Sequence, residues 1–184
     1  MAVVAFATFM SDIAPNIAGA GLVVTAVVGS RAMRQAVLRC VLAMVLSWLV
    51  VAALRRGFPM PRPAALNMGW QWLEHGVRSG FPSHHAAGAM AFWAGLAMSP
   101  VLASRPVLIT IGLVLTLAIA WSRVYLGVHF PRDVVVGGAI GWVAGASTLV
   151  IETRVRQWLR RRRVLAERRR RLALRASHAE SVRR

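Results

Sequence analysis

Three short segments of the chain concentrate side chains that bind anions or exchange protons near neutral pH. Their sequences are RRGFPMPRP, GFPSHHAAG and WSRVYLGVHFPRDV. The side chains of interest in them are Arg55, Arg62, Ser83, His84, His85, Arg123, His129 and Asp133. Arginine offers forked donors that match phosphate oxygens, and histidine titrates close to physiological pH. The set therefore predicts an anion site with titratable groups.

His129 and Asp133 have the spacing of an oriented nucleophile. They are four residues apart, and Pro131 between them suits the first turn of a helix. At that spacing the carboxylate can accept the imidazole N–H and fix its tautomer, which leaves the other ring nitrogen able to attack phosphorus. His85 begins a different helix and could protonate a leaving oxygen. Ser83 precedes that helix, which predicts an N-cap whose first turn can bind an oxyanion.

Long apolar runs explain how three distant segments could come together. Hydrophobic residues make up 57% of the 184-residue chain, and they fall in runs instead of short alternating patterns. Helices of about 20 apolar residues span a bilayer core of about 30 Å. We predict an all-α membrane bundle of about five transmembrane helices, near residues 15–29, 36–54, 85–103, 106–121 and 134–151. Residues 1–10 are expected either as a short helix at the interface or as the start of a long, tilted first span.

Alternation of these five spans places the three segments on one membrane face. Spans two and four end there, and spans three and five begin there. The other face receives Arg31, Arg34, Arg39 and Arg105, together with a tail that holds thirteen of the 23 arginines. Because arginine is enriched on the cytoplasmic side, that face and the C-terminus are predicted to be cytoplasmic. The site is then expected to face the periplasm or the outside.

Two more segments are expected at the membrane surface. Residues 64–80 predict a short amphipathic helix that dips Trp70, Trp72 and Leu73 into the interface. Residues 154–184 form an Arg-rich cytoplasmic tail with Leu and Val at helical intervals. We expect this tail to continue the last span and to contact anionic lipids instead of nucleic acid. Residues 1–153 are predicted to be a single transmembrane domain.

No metal or cofactor is expected from the sequence. The tandem pair His84 and His85 points two rings apart, and no carboxylate or third histidine lies at ligand spacing. Cys40 is the single cysteine and sits in an apolar run, so it predicts neither a disulfide nor a metal site.

The three segments resemble the motifs of the type 2 phosphatidic acid phosphatase family, which includes lipid phosphatases and vanadium haloperoxidases. The family pattern is Lys, six residues, Arg-Pro; then Pro-Ser-Gly-His; then Ser-Arg, five residues, His, three residues, Asp. The third part matches at full spacing in residues 122–133. In the first part, residues 55–63, Arg55 stands where Lys is usual, and Arg56 could take that place by a small shift. In the second part, residues 82–85, His84 stands at the Gly position.

The resemblance implies a role for each matched residue. His129 would form a phosphohistidine, Asp133 would orient it, and His85 would be the acid that later activates water, with no metal needed. The groups that would hold the phosphate are Arg55, Arg62, Ser83, His84 and Arg123. The usual glycine contributes its backbone N–H, so His84 can preserve phosphate binding at that position. Its side chain would narrow access to the pocket. The resemblance does not define the loop geometry without glycine.

The layout also resembles bacterial undecaprenyl pyrophosphate phosphatases. That resemblance implies a hydrolase of the inner membrane that returns undecaprenyl phosphate, the lipid carrier of peptidoglycan synthesis. Phosphatidic acid, phosphatidylglycerophosphate and lipid A 1-phosphate stay open as substrates, because apolar helices contact any chain alike. A non-enzymatic lipid-binding scaffold that acts through the tail is the alternative class. A channel is disfavoured, because the polar residues lie at one interface. The oligomeric state is left undetermined.

Overall fold

The computed structural model describes residues 1–73 and 79–182. Within those ranges every regular element is helical, so the predicted all-α fold is confirmed. The six α-helices are α1 (Ala2–Thr8), α2 (Ala14–Val28), α3 (Arg31–Gly57), α4 (His84–Ala97), α5 (Pro106–Tyr125) and α6 (Pro131–Val182). A π-helical turn, Phe9–Ile13, joins α1 to α2, and a 3₁₀ turn covers Pro63–Leu66.

Four helices in the described part of the chain are long and apolar enough to cross a membrane. They are the continuous helix Ala2–Val28, α3, α5 and the segment Pro131–Arg168 of α6. The expected third span is shorter than predicted, because α4 has 14 residues and measures about 21 Å at 1.5 Å per residue. It stops at Ala97 because Pro100 has no N–H for another turn and restricts the residue before it. Ser99 Oγ donates to the Leu96 carbonyl at 2.6 Å and closes this end.

The N-terminal residues form the start of the first span and are not a separate interfacial helix. α1, the π turn and α2 run without a break from Ala2 to Val28. The π turn lies just ahead of Pro15, whose missing N–H deprives the Ser11 carbonyl of its α-helical donor. Ala14 N–H instead donates to the Phe9 carbonyl, five residues back.

The predicted amphipathic helix over residues 64–80 is wrong for the residues that the structure describes there. Only the 3₁₀ turn at Pro63–Leu66 is helical, and residues 74–78 lie outside the described residues. Asn67 and Gly69 adopt positive φ angles of 52° and 78°, which a helix does not accommodate. Trp70 is 86% exposed. Leu73 instead packs on a buried cluster of Ala7, Leu126 and Val128.

In the part of the chain up to residue 148, glycines of α6 allow this helix to pack closely against α4. A Cβ added to Gly137 would lie 2.6 Å from the Ser83 carbonyl oxygen, and one added to Gly141 would lie 2.2 Å from the Ala87 carbonyl oxygen. A Cβ at Gly145 would lie 2.4 Å from Ala94 Cβ. This spacing of four residues is typical of close helix pairs in membranes. α4 also packs against α3 and α5, so it forms the centre of the helices that position the site.

Contacts divide the chain into Met1–Thr148 and Leu149–Arg184. The boundary predicted at residue 153 stays a prediction. In the second unit Arg156 pairs with Glu152, and the Arg162 guanidinium lies 4.3 Å from the centroid of the Trp158 ring.

Candidate active site

The loop between α5 and α6 presents His129 through backbone bonds to the end of α5. The N–H groups of Val128 and His129 both donate to the Arg123 carbonyl, at 3.2 Å each. Gly127 makes this turn possible: its φ is +71°, and a Cβ there would lie 2.3 Å from the Trp70 carbonyl oxygen. His129 is consequently held in place and only 2% exposed.

Asp133 lies beside His129 in the first turn of α6. Its Oδ2 accepts the Phe130 N–H at 3.0 Å and lies 3.5 Å from His129 Nδ1. That separation is longer than an ordinary hydrogen bond, yet it places the carboxylate against Nδ1 instead of Nε2. The arrangement favours the tautomer with a proton on Nδ1 and a lone pair on Nε2.

The segment of Ser83 is tied to the same place by two backbone contacts. Ser83 N–H donates to the Asp133 carbonyl at 2.9 Å, and Ser83 Oγ caps α4 by accepting the Ala86 N–H at 3.5 Å. Arg55, at the end of α3, donates from Nε and Nη2 to the Pro82 carbonyl at 2.9 and 2.8 Å. Three distant segments therefore meet at the N-terminal ends of α4 and α6.

The two arginines of the RR pair differ in burial. Arg55 is partly buried, whereas Arg56 is exposed. The burial of Arg55 and its contact with the Pro82 carbonyl favour Arg55 over Arg56 for the position of the usual lysine, and this assignment stays a prediction.

Arg62 lies on the other side of His129. Its Nη1 donates to the Val128 carbonyl at 3.1 Å. A Cβ at Gly80 would lie 2.9 Å from Arg62 Cγ and 3.6 Å from Asp133 Oδ2, so the glycine lets these groups come together. Burial lowers the pKa of Arg62, and the Asp133 carboxylate opposes that shift.

His129 is held in its neutral form by its surroundings. Burial lowers its pKa from an ordinary value near 6.5, and the charges of Arg62, Arg123 and Arg55 lower it further. A protonated imidazole has no lone pair for attack, so a lowered pKa preserves a nucleophile at and below neutral pH.

We call the buried or partly buried set around His129 the phosphate layer; its members are Arg55, Arg62, Ser83, Arg123, His129 and Asp133.

His84 and His85 line an apolar cavity of about 350 Å³. They also lie within charge range of the phosphate layer, His84 of Arg55 and His85 of His129. His84 begins α4 in helical conformation, so the site does not need the conformational freedom of glycine at that position. The apolar cavity continues from the two histidines between the first helix, α3, α4 and α5. Its lining includes Gly19, Leu22, Met44, Gly88, Phe92 and Leu115.

No group of three or more His, Cys, Asp or Glu side chains is arranged to hold a metal ion within residues 1–73 and 79–182. The phosphate layer is rich in guanidinium groups, whose forked donors match the oxygens of a phosphate.

A family model described as the PAP2 superfamily matches residues 36–157. The chain belongs to this superfamily. A PAP2 fold also explains its likeness to two solved structures. Aquifex aeolicus LpxE has a TM-score of 0.63 and 28% identity, with 78% of this chain and 81% of that chain covered. A transmembrane PAP2-type phosphatidylglycerolphosphate phosphatase from Bacillus subtilis has a TM-score of 0.58 and 22% identity, with 82% and 75% covered.

A curated relative also resembles the PAP2 chain. It is YbjG of Escherichia coli (strain K12), provisionally named an undecaprenyl-diphosphatase, and it is 35% identical over 123 residues. The match covers 67% of this chain, and the chain spans 60% of the length of that relative.

Sequence reasoning missed two polar residues near the PAP2 site. Ser11 and Asp12 lie in the π turn of the first helix, ahead of the residues that the family model matches. Arg123 Nη1 donates to Ser11 Oγ and lies 3.8 Å from Asp12 Oδ1. The one available signal was the pair Ser-Asp inside an apolar helix, where polar groups are costly and usually functional.

Proposed function

We propose that this PAP2 chain is a membrane lipid phosphatase that hydrolyses undecaprenyl pyrophosphate to undecaprenyl phosphate. The observation that carries the proposal is the junction of the phosphate layer with the apolar cavity at His84 and His85. A substrate with a charged head and a long apolar chain suits both compartments at once. The relative YbjG supports the choice of this lipid.

His129 is the proposed nucleophile. Its Nε2 lone pair forms a bond to the terminal phosphorus while the bond from phosphorus to the bridging oxygen breaks. The leaving undecaprenyl phosphate takes a proton from His85. Arg62 and Arg123 stabilise the negative charge that develops on the other phosphoryl oxygens, and the Ser83 end of α4 adds its first-turn N–H groups.

The second step returns the enzyme to its starting state. His85, now neutral, takes a proton from water, and the water oxygen attacks the phosphorus of the phosphohistidine. The bond between Nε2 and phosphorus breaks, inorganic phosphate leaves, and His129 recovers its lone pair. Asp133 keeps the Nδ1 proton in place through both steps. Because His129 is 2% exposed and does not line the apolar cavity, entry of the phosphate requires nearby side chains to move.

The same chemistry would serve another lipid phosphate, so the substrate needs a direct comparison. Phosphate release from undecaprenyl pyrophosphate, phosphatidic acid, phosphatidylglycerophosphate and lipid A 1-phosphate would be measured side by side in detergent. We expect the highest kcat/KM for undecaprenyl pyrophosphate. A higher value for one of the other lipids would reassign the substrate.

His129→Ala is the test of the enzyme itself. We expect it to lower the rate of phosphate release at least about 1000-fold, because no other group replaces the nucleophile. Removal of residues 154–184 is the matched control, since a scaffold that acts through the tail would depend on those residues instead. Equal rates for wild type and His129→Ala would sink the assignment. We also propose that the protein lies in the inner membrane, with its site facing outward and its C-terminus in the cytoplasm.

A further inference from the structure

The π turn of the first helix carries a polar pair that the proposed mechanism does not use. Ser11 is buried, although the helix around it is apolar, and its hydroxyl donates to Asp12 Oδ1 at 2.5 Å. Asp12 is the only acidic residue of the sequence between Met1 and Leu73. Acidic groups inside membrane helices are rare because they are costly, and π turns are frequent at functional sites.

Both side chains meet Arg123 of α5. Arg123 Nη1 donates to Ser11 Oγ, and the same nitrogen lies 3.8 Å from Asp12 Oδ1. The Arg123 side chain is 1% exposed, while the Asp12 side chain is 48% exposed. A relay results in which the carboxylate accepts from the hydroxyl and the hydroxyl accepts from the buried guanidinium.

Resting on the proposed function, we infer that Ser11 and Asp12 are positioning residues that fix the Arg123 guanidinium beside His129. A guanidinium is a planar fork of five N–H donors, and it binds phosphoryl oxygens well only in the correct plane. Ser11 and Asp12 both lie at Nη1, and they thereby fix the plane in which the guanidinium would meet the phosphate. Asp12 also balances one of the three guanidinium charges around His129, of Arg55, Arg62 and Arg123.

A simpler role would be to attach the first helix to α5 without any effect on the chemistry. The two roles differ in what they change. Loss of attachment lowers the melting temperature, whereas a misplaced arginine lowers transition-state stabilisation, so that kcat and kcat/KM fall together while KM stays near its original value.

The variants are therefore Asp12→Asn, Ser11→Ala and Ser11→Thr, with Ile13→Ala as the control. Ile13 belongs to the same π turn but is 49% exposed. We expect Asp12→Asn and Ser11→Ala to lower kcat about tenfold or more, since each disrupts hydrogen bonding to a charged group. Ser11→Thr, which keeps the hydroxyl, should recover most of the activity, and Ile13→Ala should match wild type. Ser11→Ala without loss of kcat would overturn the inference.

A double-mutant cycle decides whether the pair acts through Arg123. In an Arg123→Lys background, Asp12→Asn should cause little further loss, because the planar fork that it positions is already gone. The same fold-loss in both backgrounds would overturn the inference.

Binding of orthovanadate, a mimic of the transferred phosphoryl group, separates this inference from the substrate assignment. Its dissociation constant is measured for wild type and Asp12→Asn by the rise in melting temperature, which needs no turnover. Weaker binding by Asp12→Asn supports the positioning role even if wild type hydrolyses none of the lipids tested. Equal binding contradicts it even if the lipid assignment stands.

Discussion

The phosphate layer and the apolar cavity share one helix bundle and meet at His84 and His85, yet they are built in opposite ways. In the layer, Arg55 and Arg62 are fixed by donation to the backbone carbonyls of Pro82 and Val128. The cavity is lined mostly by glycine, alanine and aliphatic side chains, whose contacts have no preferred direction. Directional contacts select one anion geometry, whereas dispersive contacts accept many chains.

Because of this difference, variants of the two regions should affect substrates in different ways. A change in the phosphate layer should affect every phosphate substrate alike, because all of them share the reacting group. A change in the apolar cavity should affect a substrate only as far as its chain reaches. Undecaprenyl pyrophosphate and farnesyl pyrophosphate have the same head and different chain lengths, so the ratio of their kcat/KM values reports which compartment a variant has changed.

His85→Gln should give the largest effect of this series and tests the boundary between the compartments. His85 lines the cavity, but as the proposed acid it belongs with the chemistry. We expect kcat to fall about 100-fold or more for both substrates, and the phosphohistidine to accumulate because water is no longer activated. An acid-labile, alkali-stable phosphoprotein measured after rapid mixing would show it. His84→Gln in the same turn is the control and should lose less. A loss confined to the long-chain substrate would move His85 to the cavity side.

Arg55→Gln, inside the phosphate layer, and Arg56→Gln, at the neighbouring position outside it, form a matched pair. Arg55 is partly buried and donates twice to the Pro82 carbonyl, whereas Arg56 is exposed. We expect Arg55→Gln to lower kcat/KM about tenfold for both substrates, since hydrogen bonds of a charged group are lost. Arg56→Gln should leave it unchanged. Steady-state kinetics in detergent are sufficient, and equal losses from the two variants would make the helix end as a whole the phosphate contact.

The sequence was informative where a site residue is defined by its neighbours in the chain. The spacing of His129 and Asp133 and the capping position of Ser83 are local features, and the alternation of spans was enough to predict their convergence. The structure places Arg55, Arg62, Arg123 and His129 within reach of one another's charges. Their catalytic roles stay predictions until the variants are measured.

What the sequence did not reveal depends on contacts or on backbone geometry. Ser11 and Arg123 are 112 residues apart, and no local pattern links them. The prediction of a surface helix over residues 64–80 was wrong because it used side-chain periodicity, which carries no information on the positive φ angles of Asn67 and Gly69. Pro100, by contrast, is visible in the sequence, and the predicted span to residue 103 overlooked it. The glycines at 137, 141 and 145 set the distance between α6 and α4, and this role became visible only in the structure.

Gly19→Leu, with Gly21→Leu as its control, should give the smallest effect and is the most direct test of the apolar cavity. Both glycines lie in α2 with no atom within 4 Å of an added Cβ, but only Gly19 is among the residues that line the cavity. The two substitutions bring the same gain in helix propensity, so stability should change equally. Gly19→Leu fills part of the chain volume and should raise KM for undecaprenyl pyrophosphate about fourfold, the cost of losing one buried CH₂ group of the chain. Farnesyl pyrophosphate should be affected less, and Gly21→Leu should change neither substrate. If Gly19→Leu lowered kcat for both substrates, the cavity would be coupled to the chemistry, and the division between the two compartments would fail.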